Sequence, residues 1–321
     1  MRAVLLALAL LWLPSAASAQ PAGQPASVLQ RVGIWVQQMA AAQKPVIDAY
    51  ELCRPTMARV GDMLKNEERM KPDGVVAGEM RACVSRLHDA AEVTRDKLAA
   101  MPPMPAEMDR MLGLDSASLM KRAAASVEGM VEYLDRVNQA FDALQNEDPS
   151  AARMRMAEAR SLAGAVMDGQ IVLLETIRQT LPMDTHKSMM DIRLAITRTV
   201  REVAMADALG RGPRTAKALV ALRRQASDAA AQLRANWKRE GAGLHAMAAG
   251  GADPRAAQLA ALDEAFSGLA QIGDALAALL EPAEFGPLSG DQSIRILDGA
   301  ALLEARALSL VQSFAAVAAS K

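Results

Sequence analysis

Methionine sulfur is the most conspicuous chemistry in the sequence. Of the 20 methionines, the densest group is Met101, Met104, Met108 and Met111, at steps of three, four and three residues. Thioether sulfur is a soft ligand that suits Cu(I), and such steps bring side chains to one face of a helix. Methionine is equally a flexible core-filling residue. We favour core packing for this group and keep copper binding as the alternative.

Histidine lies close to methionine at two further places. His245 is followed by Met247, and His186 precedes Met189 and Met190. A mixed imidazole and thioether pair is another ligand set that copper accepts. Because each pair lies in a segment with helical periodicity, packing explains the methionines equally well.

The sequence holds no recognised catalytic motif. The three histidines, His88, His186 and His245, fall in separate predicted helices, and none lies in an H-E-x-x-H pattern. A nucleophile elbow, a phosphate-binding glycine loop and a dinucleotide fingerprint are all missing. The acidic pair Asp263 and Glu264 is interpreted as part of a solvated helix face. We therefore expect a protein without enzymatic activity, with an enzyme assembled across helices as an alternative.

Two cysteines, Cys53 and Cys83, each lie on an apolar stripe of a predicted helix. In an antiparallel hairpin that sets them opposite each other, Val60 faces Val76 and the turn falls in residues 66–69. A disulfide would close a loop of about 30 residues, which is worth roughly 3 to 4 kcal/mol in the chain-entropy model. Two buried free thiols are the alternative. The spacing does not match the Cys-x-x-Cys pattern of redox-active pairs.

The elements that carry these residues are predicted to be helices. Only 3% of the residues are aromatic, which disfavours a sheet. Apolar residues recur at steps of three and four between breaks marked by proline and glycine. Eight helices result, one of them containing Pro45 and Pro55. The clearest stripes are Met120, Ala123, Val127, Met130, Leu134, Val137, Phe141 and Leu144; Leu259, Leu262, Phe266, Leu269, Gly273, Leu276 and Leu280; and Ala226, Ala230, Leu233 and Trp237.

Eight long helices predict an all-α protein of one or two four-helix-bundle units. The break at residues 182–185 suggests an N-terminal bundle over 27–181, which contains both cysteines, and a C-terminal bundle over 184–318. A single elongated bundle is the alternative, since no internal repeat marks the two halves as equivalent.

The N-terminus has the order of a secretory signal peptide. Arg2 precedes an apolar run over 3–13, and small residues at Ala17 and Ala19 predict cleavage after residue 19. No later run is long and apolar enough for a membrane span, so we expect none in the mature chain. We therefore expect the periplasm, an oxidising compartment in which disulfides persist.

Charge excludes one class of partner. Lys and Arg number 36 against 37 Asp and Glu, with the signs mixed along the chain, so no basic surface for nucleic acid is predicted. Trp35 and Trp237 are the tryptophans expected in the mature chain, and either could anchor a partner or line a pocket. Because Trp237 continues an apolar stripe, we favour core packing for it. The sequence thus predicts an exported protein that binds an envelope protein or a small ligand.

Overall fold

The computed structural model describes residues 28–65, 74–104, 106, 109–110, 115–181, 183–206, 212–248 and 256–319. Over these residues the chain forms eight α-helices and no strand, which confirms the predicted all-α class. A 3-10 turn, Glu281–Phe285, lies between the last two helices. The helices are α1 (Val28–Lys65), α2 (Val75–Ala100), α3 (Ser116–Gln145), α4 (Pro149–Thr180), α5 (Asp184–Met205), α6 (Pro213–Ala248), α7 (Ala256–Leu279) and α8 (Gly290–Ala319).

Two helix starts show why the chain breaks where it does. The Asp115 side chain accepts a hydrogen bond from the Ser118 amide at 2.9 Å at the start of α3. Asp148 accepts from the amides of Ser150 and Ala151 at the start of α4. Pro149 occupies the first turn of α4, where its missing amide hydrogen leaves no helical bond unmade.

The first helix runs through Pro45 and Pro55, as predicted. A proline inside a helix removes one backbone hydrogen bond and crowds the preceding turn. Between and beside these prolines, Val46, Cys53 and Met57 are buried. Burial of this apolar face offsets the local loss of helical bonds.

The predicted stripes form the core. On α3 the stripe residues from Met120 to Val137 are all buried, and Phe141 and Leu144 are half-buried. Burial of one apolar side chain contributes about 1.5 to 3 kcal/mol, so these stripes are the main source of folding free energy. Other fully buried large side chains include Leu87, Leu98, Leu134, Met167, Leu174, Ile192, Leu194, Ile196 and Leu219.

Each helix packs against the next in the chain. The last four form a closed set, because α8 returns to pack against α5. In addition, α4 packs on α5 and α1 touches α8. Buried residues of α1 to α8 belong to one continuous apolar core. The division into bundles over 27–181 and 184–318 stays a prediction.

None of the helices in the described ranges combines the length and the apolar character that crossing a membrane requires. The predicted signal peptide, residues 1–19, lies outside the described residues. The Trp35 side chain also lies outside them.

A buried ion pair joins α5 to α8. Arg193 Nη2 lies 3.3 Å from Glu304 Oε1, and the two side chains are only 6% and 0% exposed. Burial raises the pKa of Glu304, and the Arg193 guanidinium opposes that rise. Since burying both charges costs hydration, the pair is expected to specify how α5 and α8 align more than to stabilise the fold.

The two cysteines meet between α1 and α2. Both are buried free thiols in the structure, and Cys53 Sγ lies 3.6 Å from the Cys83 carbonyl oxygen. The predicted antiparallel hairpin therefore brings them together. Burial, reinforced by Cys83, raises the pKa of the Cys53 thiol to about 12. The disulfide itself stays a prediction.

In protein exported by a bacterial host, we expect Cys53 and Cys83 to be joined. Maleimide labelling should be done after denaturation without reductant, because the raised pKa of Cys53 leaves little reactive thiolate in the native state. Mass spectrometry should find no label before reduction and two labels after it. A Cys83→Ala variant, as control, should carry one label throughout. Two labels on unreduced wild-type protein would show that the thiols are free.

Breaking the Arg193–Glu304 pair from one side should cost more than removing both charges. Glu304→Leu leaves a buried guanidinium without its carboxylate, and we expect a loss of about 3 to 5 kcal/mol in unfolding free energy. The double variant Arg193→Met with Glu304→Leu should recover most of that loss. Urea unfolding at neutral pH measures both. Losses in the two single variants that simply add in the double variant would contradict this coupling.

Candidate functional site

The structure describes two of the four methionines in the predicted copper group. Met104 is buried, and its backbone amide donates to the Ser116 hydroxyl at 2.9 Å. Met101 is half-buried and packs against the core. Met108 and Met111 lie outside the described residues. The two described side chains thus serve packing, and copper binding by the four stays a prediction.

The two histidine–methionine pairs lie at the ends of helices that meet. Met189 and Met190 are buried in the core. The His186 ring contacts Phe266 edge to face, with ring centroids 6.0 Å apart. The Met247 side chain lies outside the described residues. His245 has a carboxylate partner, which belongs to the cleft described next.

An open cleft of about 320 Å³ lies between α6 and α7. We call it the Trp237 cleft. It combines two aromatic rings, a histidine, a carboxylate, a hydroxyl and two cationic side chains. Its lining consists of Leu233, Arg234, Trp237, Lys238 and His245 from α6, and Asp263, Phe266 and Ser267 from α7.

The aromatic wall of the Trp237 cleft consists of Trp237 and Phe266, whose ring centroids are 4.7 Å apart. Trp237 continues the buried stripe of α6 but is itself only half-buried. One turn later, a Cβ atom at Gly241 would lie 3.2 Å from two atoms of the indole ring. Glycine therefore makes room for the indole, which lies along the helix at the edge of the core.

Asp263 holds this wall in place. Its Oδ1 accepts a hydrogen bond from Trp237 Nε1 at 2.7 Å, and the same oxygen lies 3.2 Å from His245 Nε2. Trp237 and His245 also contact each other edge to face at 6.1 Å. From its position in the sequence, Asp263 is expected on a solvated helix face. The side chain is indeed 44% exposed, and the structure adds its role in orienting both rings.

The rim of the Trp237 cleft carries two cationic side chains, Arg234 and Lys238, beside the carboxylate of Asp263. Arg234 pairs with Asp274 across α6 and α7, which holds its guanidinium beside the cleft. Lys238 and His245 are exposed. A cationic rim beside two aromatic faces suits a flat apolar group that carries a negative charge.

A second polar group lies behind Phe266, where α5 begins. Glu240 accepts hydrogen bonds from the Thr185 hydroxyl at 2.6 Å and from the amides of Asp184 and Thr185. Burial alone would raise the pKa of Glu240, but the hydrogen bonds from Thr185 and Arg239 outweigh it and lower that pKa. This ionised carboxylate at a helix N-terminus ties α6 to α5.

His186 lies beside this group in a poorly solvated position. Desolvation lowers the pKa of His186, and the nearby Glu240 carboxylate opposes that shift. The imidazole is thus held neutral at the back of the aromatic wall. Neither this role nor the contact with Phe266 has a signal in the sequence, since the residues lie on different helices.

One further group has side chains of the kind that bind metals. His88 Nδ1 lies 3.7 Å from Asp89 and 4.0 Å from Glu92, on one face of α2. Arg95 reaches toward Glu92 and pairs with Glu128 of α3. Because the acidic groups are solvent-facing and share a cation from the chain itself, we assign this group to surface ion pairing.

No family model matches the chain, and neither a curated protein nor a solved structure matches it significantly. The chemistry of the Trp237 cleft is therefore the basis for proposing a function.

The stability of the fold should fall on acidification through the pKa of an unfolded histidine, about 6.5. Because the pKa of His186 is lowered in the folded state, that state binds the proton more weakly than the unfolded chain does. The contribution of His186 is therefore complete above about pH 6.5 and is lost below it. His186→Leu and His186→Gln should both flatten this part of the profile of melting temperature against pH. Profiles that run parallel in all three proteins would show that His186 does not contribute.

Proposed function

We propose that this protein is an exported, periplasmic binding protein without enzymatic activity, and that it holds a small amphipathic ligand in the Trp237 cleft. The ligand class is an aromatic or similarly flat apolar group that carries one anionic substituent. The observation that carries this proposal is the Trp237–Phe266 wall beside Arg234 and Lys238.

The wall is oriented before a ligand arrives. Asp263 accepts from the Trp237 indole, and Gly241 lets the ring lie against α6. A side chain that is already held in its bound orientation loses little conformational entropy when a ligand binds. The cleft therefore suits a small molecule better than the broad, flat contact typical of a protein partner.

Export is supported by the sequence. Arg2, the apolar run over 3–13 and the small residues Ala17 and Ala19 are typical of a signal peptide. A periplasmic location also agrees with the proposed Cys53–Cys83 bridge, since disulfides persist in that compartment.

A hydrolytic alternative has one observation in its favour. Ser267, His245 and Asp263 all line the Trp237 cleft, and these residue types make up the serine hydrolase triad. However, His245 directs Nε2 to Asp263, and no hydrogen bond joins Ser267 to His245 among the described residues. A serine that is not bonded to a base is a weak nucleophile, so we favour binding.

The proposal predicts that the mature protein binds 2-naphthoate more tightly than the uncharged 2-naphthalenemethanol. Trp237→Leu should weaken 2-naphthoate binding about tenfold, which corresponds to about 1.4 kcal/mol. Lys238→Gln should weaken naphthoate a few-fold and leave the alcohol unchanged, because only the carboxylate meets the ammonium group. Isothermal titration calorimetry measures each affinity.

The matched control is Lys217→Gln, an exposed lysine on α6 outside the cleft lining. It should bind 2-naphthoate as the wild type does. Equal affinities for acid and alcohol, both unchanged by Trp237→Leu, would rule out the Trp237 cleft as the site. Hydrolysis of 2-naphthyl acetate that disappears in His245→Ala would favour the enzyme instead.

A further inference from the structure

Three helices of the N-terminal half each place an uncharged polar side chain in the core. They are Thr94 on α2, Ser126 on α3 and Gln170 on α4, with exposed fractions of 1%, 7% and 1%. Their neighbours along the same helix faces are apolar, as the buried residues Ala91, Leu98, Val127, Met130, Met167 and Leu174 show.

Contacts between α2 and α3 place Thr94 and Ser126 at similar heights. Arg95 Nη1 reaches Glu128 at 3.2 Å, and Ser85 lies opposite Asn138. In this antiparallel register the position facing Thr94 is one helical turn from Ser126. One turn corresponds to about 5 Å along the helix axis.

Contacts between α3 and α4 place Gln170 at the same height. A Cβ atom at Gly129 would lie 2.8 Å from Val166 Cγ2, so these two residues face each other in close contact. One turn back along α3, Ser126 therefore lies within one residue of the position facing Gln170. The position on α3 that faces Thr94 and the position that faces Gln170 are thus four residues apart, about 6 Å along the helix axis, and Ser126 lies between them. We call this one-turn segment, with its three polar side chains, the polar level.

The polar atoms at this level lack protein partners. The hydroxyls of Thr94 and Ser126, and both the nitrogen and the oxygen of the Gln170 amide, are buried without a hydrogen bond to any described residue. Threonines elsewhere in the core behave differently. The hydroxyls of Thr197 and Thr199 donate to backbone carbonyls one turn earlier in α5. Since buried polar groups in proteins are almost always bonded, four such atoms within about one helical turn need a partner.

We propose that this level is an internal hydration site, in which ordered water bridges Thr94, Ser126 and Gln170. The three side chains are uncharged, so they neither require nor neutralise an ion. Two hydroxyls and an amide can both donate and accept hydrogen bonds, so their partner must do the same. Water meets this requirement in the smallest volume. Buried apolar neighbours on the same helix faces confine the guest to this polar level.

The sign of a single substitution tests the proposal. Thr94→Val keeps the shape of the side chain and removes its hydroxyl. If that hydroxyl binds a shared water, the variant loses this hydrogen bond, and the urea midpoint of unfolding should fall. If the hydroxyl has no partner, the variant loses only an unsatisfied buried group, and the midpoint should rise. Thr199→Val is the matched control, because it removes a hydroxyl that bonds the backbone.

A shared water also predicts non-additive effects. Removing all three groups, with Thr94→Val, Ser126→Ala and Gln170→Met, should expel the water and lower the midpoint by less than the three single shifts combined. Adding Thr199→Val to Thr94→Val should give additive shifts. A midpoint that rises in Thr94→Val, or additive shifts in the triple variant, would overturn the proposal.

Crystallography of the mature chain identifies the occupant directly. Density for water within hydrogen-bond distance of the Gln170 amide and of at least one hydroxyl is the expected result. Side chains bonded to each other, or density for an organic solute, would overturn it. The structure of the triple variant should show the level filled by side chains alone.

Discussion

The close approach of neighbouring helices at small residues is the constraint on which the rest of the structure depends. Gly129 faces Val166 between α3 and α4, and Gly273 faces Ala230 between α6 and α7; in both places a Cβ atom would come within 3 Å of its neighbour. Long helices with apolar stripes can slide against one another with little loss of buried area, because each stripe repeats every turn. Contacts that only glycine permits remove that freedom, since a shift by one turn would place a larger side chain against the partner helix.

Polar groups in the core add to this specificity in two ways. The Arg193–Glu304 pair brings two buried opposite charges together in the alignment of α5 and α8 that the structure shows. Because an unpaired buried charge is costly, we expect the pair to favour this alignment over others. In the N-terminal half the buried groups of the polar level are uncharged. The proposed water would let side chains at slightly different heights on three helices share one set of hydrogen bonds. The two halves would thus use different chemistry for the same purpose, which agrees with the absence of a visible repeat in the sequence.

The Trp237 cleft forms where the buried apolar stripe of α6 reaches the edge of the core. Trp237 is half-buried there, and it is held by Asp263 of α7 rather than by surrounding apolar contacts alone. An indole in that position keeps one face available to a ligand while its polar edge stays bonded. Glu240 ties the same end of α6 to α5, and His186 of α5 contacts Phe266 of α7.

The sequence by itself determined the helical class, the eight helices that the described residues form and their buried faces, because periodicity and capping are local properties of the chain. It also predicted that Cys53 lies opposite Cys83, because the pairing of two antiparallel helices joined by a short turn is defined by their register alone. It did not place Asp263 against Trp237 and His245, or Arg193 against Glu304. Those residues lie on helices whose relative rotation and crossing depend on every other packed pair, so only the tertiary structure decided which polar groups meet. The same reason explains why Asp263, which the sequence placed only on a solvated helix face, became the centre of the candidate site, while Met101 and Met104 of the methionine group serve packing.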